Sequence, residues 1–168
     1  YGLLVEMIKK RPWIKGIDLD IEESVKLSDV QMLIGRIVKD FGKDFIITMA
    51  PVSPSLMHDG SSMAGFSYKE LYKSEEGKYI HWFNTQCYYS FSKKTYDLII
   101  NNGYPPEKIV MGMESGQFDD KTFKNALENI KEIKKQYPDM SGVYDWEYLN
   151  APPDVKDPSQ WAKYMKGC

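Results

Sequence analysis

Five short apolar runs, at residues 16–22, 46–51, 84–89, 110–113 and 142–146, alternate with stretches of helical periodicity, and that alternation limits the fold more than anything else in these 168 residues. Helical spacing is clearest at Val30, Leu33, Ile34, Ile37, Val38 and Phe41. Ser28 and Asp29 precede this stripe as N-cap candidates, and Gly42 follows it as a C-cap. A second stripe, Phe123, Leu127, Ile130, Ile133 and Tyr137, stops at Pro138. Shorter helices are expected over residues 3–10, 94–101 and 158–166. Short strands that each feed an amphipathic helix predict parallel strands joined by right-handed crossovers, hence an α/β sheet or barrel.

The first run carries a second pattern. In Ile17-Asp18-Leu19-Asp20-Ile21-Glu22, apolar and acidic residues alternate with period two. On a strand, Asp18, Asp20 and Glu22 then share one face, with successive Cα atoms roughly 6.5 Å apart. Carboxyls that close ionise against each other's charge, which is one way to keep a carboxyl protonated for general-acid work. A solvated edge strand can alternate too, but such a face usually mixes signs, and here all three charges are negative.

The net charge of −2 offers no basic field for nucleic acid. No apolar run reaches the length of a membrane span, so no membrane partner is expected. His58 and His81 have no metal-ligand spacing, and neither metal nor cofactor is expected. If Gln86 and Tyr88 face the inside of a barrel, Cys87 between them faces the helices as a small buried thiol. Pairing of Cys87 with Cys168, or of Cys168 with a cysteine elsewhere, stays open. Residues 51–68, rich in Ser, Gly, Pro and Met, follow a strand end and are a candidate cleft wall.

Residues 16–22 resemble the DGxDxDxE signature on the fourth barrel strand of family 18 glycoside hydrolases, with Lys15 in place of the first Asp. Ile46-Ile47-Thr48-Met49-Ala50-Pro51 resembles the fifth strand. Asn84 to Tyr89 resembles the sixth, where Tyr89 replaces the usual Asn of a Q-x-Y-N pattern. Val110-Met111-Gly112-Met113 and Gly142-Val143-Tyr144-Asp145-Trp146 resemble the seventh and eighth. The resemblance implies a (β/α)₈ TIM barrel, of which residues 1–168 form a partial catalytic domain covering roughly strands 4 to 8. A whole barrel takes about 250 residues. The start at Tyr1 lacks Met and any leader pattern, so the first strands are expected from chain upstream.

The resemblance further implies hydrolysis of β-1,4 links between N-acetylglucosamine units, with chitin or its oligosaccharides as the partner and secretion as the setting. It makes Glu22 the general acid. It makes Asp20 the carboxyl that holds the substrate acetamide so that the substrate supplies its own nucleophile, a documented exception to the two-carboxylate scheme. Asp18 then tunes Asp20, the Tyr88 hydroxyl donates to the acetyl oxygen, and Trp146 forms the floor beneath the sugar. Gln86 and Met49 are expected to line the same pocket. Tyr144 and Asp145 are adjacent, so at most one of them looks inward. Cleavage of the diacetylchitobiose core of N-glycans, and a lectin-like barrel that binds without cleaving, remain open beside this reading. Glu22 is the residue that separates cleaving from binding.

Overall fold

Helix α1 (Gly2–Lys9) leads into strand β1 (Gly16–Leu19) in the computed structural model, which describes residues 1–60 and 62–168. Then follow α2 (Leu27–Phe41), β2 (Ile46–Met49), α3 (Pro54–Met57), α4 (Tyr68–Lys73), β3 (Ile80–Gln86) and α5 (Lys93–Asn101). β4 (Ile109–Glu114), α6 (Asp120–Gln136), β5 (Gly142–Trp146) and α7 (Ser159–Lys166) complete the order. All five strands pair in parallel in the sequence order β1 to β5, which is the expected open arc of a barrel wall.

Register explains how the two faces differ. Asp18 pairs with Thr48, Asn84 with Val110, Val110 with Gly142 and Gly112 with Tyr144, so even-numbered residues share the face that would line a barrel interior. Odd-numbered Leu19, Ile47, Met49, Phe83, Ile109 and Met111 point the other way and are buried with Ile34 and Ile37 of α2 and Tyr96 and Ile99 of α5. Met113 packs separately with Phe123, Ala126 and Ile130 of α6. Each such burial contributes about 1.5–3 kcal/mol. An exposed ion pair such as Lys131–Glu128 contributes only about 0.2–1 kcal/mol. The helix side of the sheet therefore holds the fold, and the even face is free for chemistry.

Several boundaries differ from the sequence reading. α2 begins at Leu27, with Lys26 at its N-cap, so Ser28 and Asp29 lie in its first turn and cap nothing. The apolar stripe continues through Leu27, which packs against the core, and this favours the longer helix. Gly42 does end it, at φ 89°, a conformation that favours glycine. α6 starts at a capping box that pairs Asp119 with Thr122. Between residues 51 and 68, Ser61 lies outside the described residues; the rest includes α3 and the buried Leu56, Ala64 and Phe66. Cys87 is buried on the helix side as expected, and burial pushes its thiol up to about 12. Neither cysteine is in a disulfide.

Candidate active site

β1 stops at Leu19, three residues before Glu22, so of the expected acidic face only Asp18 lies within the strand. Asp20 and Glu22 continue off its C-terminal end, and tertiary contacts rather than the pleat hold them there. The Thr48 hydroxyl donates to the Asp18 carboxylate at 2.6 Å. The Gln86 amide lies 3.1 Å from Asp20 Oδ1, 3.4 Å from Glu22 Oε1 and 2.8 Å from the Ala50 carbonyl. Gln86, from the end of β3, thus ties the two acids beyond β1 to the end of β2.

These groups open onto a cleft of about 310 Å³ lined by Asp18, Asp20, Ala50, Asn84, Gln86, Tyr88, Tyr144 and Trp146. It sits at the C-terminal ends of the strands, where barrel enzymes carry their sites. Five of the seven expected site residues line it directly: Asp18, Asp20, Gln86, Tyr88 and Trp146. Glu22 is at its edge, joined to it through Gln86. Met49 does not line it. Odd parity turns Met49 to the helices, where it is fully buried, and Ala50 takes the cleft position. None of the described residues in 51–68 lines the cleft either. That stretch instead supports the acids from outside, for the Val25 amide donates to the Ala64 carbonyl at 2.9 Å.

Electrostatics follow from this crowding. Partial burial raises the Asp20 carboxyl above its ordinary range, the charges of Glu22 and Asp18 push the same way, and the Gln86 amide opposes them. Burial also raises the Tyr88 hydroxyl, which stays protonated at neutral pH and able to donate. The Tyr88 and Tyr144 oxygens are 3.5 Å apart. Of the adjacent Tyr144 and Asp145, only Tyr144 looks inward. Asp145 turns back to accept from Ser115 Oγ at 2.7 Å, and burial raises its carboxyl. Trp146, at the end of β5, is 62% exposed and offers an open ring face to the cleft.

Sequence reasoning missed Thr48, Asn84 and Gly112. A Cβ on Gly112 would sit 2.2 Å from Cζ of Tyr144, so the glycine is what lets the tyrosine ring cross the strand toward Tyr88. The signal was the even parity of Asp18, but extending it across the sheet requires the register.

No family model matches the chain, and no curated protein matches it closely. Solved structures do. A fungal endo-β-N-acetylglucosaminidase from glycosyl hydrolase family 18 is 33% identical, with a TM-score of 0.87 over 98% of this chain and 60% of that one. A chitinase from Aspergillus fumigatus is 31% identical, with a TM-score of 0.82 over 99% of this chain and 62% of that one. A family GH18 chitinase catalytic domain from the fern Peteris ryukyuensis, at 15% identity and TM-score 0.71, shares the fold. The chain thus spans about three-fifths of the length of these structures, within a partial (β/α)₈ barrel. With one third of its residues identical to the fungal enzyme across nearly its whole length, and with five parallel strands in chain order, the chain is similar to about three-fifths of a glycoside hydrolase family 18 barrel.

Proposed function

We propose that the protein hydrolyses β-1,4 links between N-acetylglucosamine units of chitin or its oligosaccharides, with retention and with the substrate acetamide as nucleophile. The observation that carries the reading is convergence: Asp18, Asp20, Tyr88 and Trp146, from the C-terminal ends of three strands and the residues just beyond them, line one cleft, and Glu22 stands at its edge. In this scheme Glu22 delivers a proton to the leaving oxygen. Asp20 holds the acetamide N–H and directs its carbonyl oxygen at the anomeric carbon. Tyr88 donates to that oxygen as charge changes on it, a contribution of about 3 kcal/mol by analogy with an oxyanion-hole donor. Trp146 supplies a flat apolar face for the pyranose. Secretion belongs to the same proposal, because the polymer lies outside cells.

A second reading, cleavage within the diacetylchitobiose core of N-glycans, draws support from the likeness to the fungal endo-β-N-acetylglucosaminidase. Against a barrel that only binds sugar stands Glu22, since a lectin has no use for a proton donor there. The test compares release of product from chitin oligosaccharides and from an N-glycopeptide by the full-length protein and its Glu22→Gln variant. Turnover is expected to fall by roughly 10²–10⁴-fold in the variant while calorimetry still detects binding. Rates within about threefold of the parent would remove Glu22 from the acid role.

A further inference from the structure

Tyr89 is the one non-glycine residue with positive φ, 57°, among the described residues, and its side chain is 86% exposed. A bulky residue in this region costs of order 1 kcal/mol, and here no burial of the ring offsets it. The conformation is held from outside, by Gln117, whose side-chain oxygen accepts the Tyr89 N–H and whose amide in turn donates to Glu114. Its effect is to aim Tyr89 away from the cleft that its neighbour Tyr88 lines.

What it faces is a separate groove of about 330 Å³ between the loop after β3 and the first turns of α6. Phe91 and Phe118, in edge-to-face contact with centroids 6.2 Å apart, share its wall with Tyr89. Asn125 supplies a side-chain amide to the groove, whereas that of Gln117 is engaged by Tyr89 and Glu114. The Asn129 amide is committed to the Lys93 N–H and the Asn125 carbonyl, both at 2.8 Å, so it shapes the groove. No charged side chain lines this groove, although 27% of the chain is charged. Aromatic faces with an amide and no charge suit a neutral polyhydroxylated ring and reject phosphate, nucleotide or peptide termini.

We propose that this groove is a saccharide subsite outside the cleft, which takes a neutral pyranose residue of the same glycan whose reacting unit lies between Asp20, Tyr88 and Trp146. The inference rests on the reading of the cleft as a glycosidase site. The groove and the cleft share no lining residue but lie on either side of one peptide bond, with Tyr88 in the cleft and Tyr89 in the groove.

The test uses the full-length protein, with the hexamer and trimer of N-acetylglucosamine as probes. Tyr89→Gly removes the ring and also relieves the backbone, so loss of fold does not explain its effect; Asn125→Ala is the second variant. Calorimetry in the Glu22→Gln background is expected to show tighter binding of the hexamer than the trimer. Each groove variant is expected to reduce that preference, Tyr89→Gly by about tenfold, the scale of one aromatic contact. An unchanged hexamer-to-trimer ratio in both variants, or no preference in the parent, overturns the subsite. If the protein cleaves none of the substrates yet its hexamer preference still depends on Tyr89, the glycosidase reading fails while saccharide binding in the groove is supported.

Discussion

At Gln86 one amide nitrogen with two hydrogens faces three oxygens, those of Asp20, Glu22 and Ala50. Its hydrogen bond lowers the Asp20 carboxyl, while burial, Glu22 and Asp18 raise it, with the raising effects ahead. Gln86→Leu leaves only those, so Asp20 ionises at higher pH in the variant. If ionised Asp20 orients the substrate, the acid limb of kcat/KM moves upward. A limb that stays in place while activity drops at every pH would make Gln86 a purely structural residue. The same shift has a stability sign. A carboxyl raised in the folded state contributes stability that is fully present below its unfolded value and is lost as pH rises through its folded value. Asp20 therefore favours folding at acid pH and opposes it near neutrality, which is how a site tuned for chemistry costs stability.

The strand ends act as elements through two glycines. Gly112 of β4 lies under the ring of Tyr144 from β5, and a methyl there would collide with that ring. Gly112→Ala is expected to swing Tyr144 away from Tyr88 and to cost about 1–3 kcal/mol. Thermal denaturation of a double-mutant cycle checks this: in a Tyr144→Ala background the added methyl should cost far less. Equal costs in the two backgrounds would show that the ring is not what Gly112 accommodates. Gly65 plays the matching part beneath the acids. It has φ 81°, and a Cβ there would meet Ser24 Oγ at 2.2 Å, two residues from Glu22. Beside the hydrogen bond from the Val25 amide to the Ala64 carbonyl, this close approach seats the segment that carries Glu22.

For the molecule as a whole, the sheet is an arc. Among the described residues β1 pairs only with β2 and β5 only with β4, so both outer strands present unpaired backbone groups, and β1 is the strand that carries Asp18. Closing a barrel requires the outer strands to be paired, which returns the carboxyls to a lower dielectric. Residues 1–168 by themselves are therefore expected to give no active monomer, a point that hydrolysis assays and thermal scans of the monodisperse chain can decide. A cooperative transition accompanied by cleavage of chitin oligosaccharides would refute it. The strand–helix order, the parallel sheet and the acidic cluster were legible in the sequence, because period-two and period-3.6 patterns are local and β1 to β5 follow chain order. That Asp18, Asp20, Tyr88 and Trp146 meet at one cleft, with Glu22 at its edge, was legible through their motifs. Met49 was misplaced and Thr48, Asn84 and Gly112 were missed, because which face a residue takes depends on pairing with a neighbouring strand far along the chain. The run of alternating acids determined by itself that three carboxyls lie close together. That two of them leave the strand and are held by an amide 66 and 64 residues away was decided only by the tertiary structure, because hydrogen bonds between strand ends exist only once the sheet has formed.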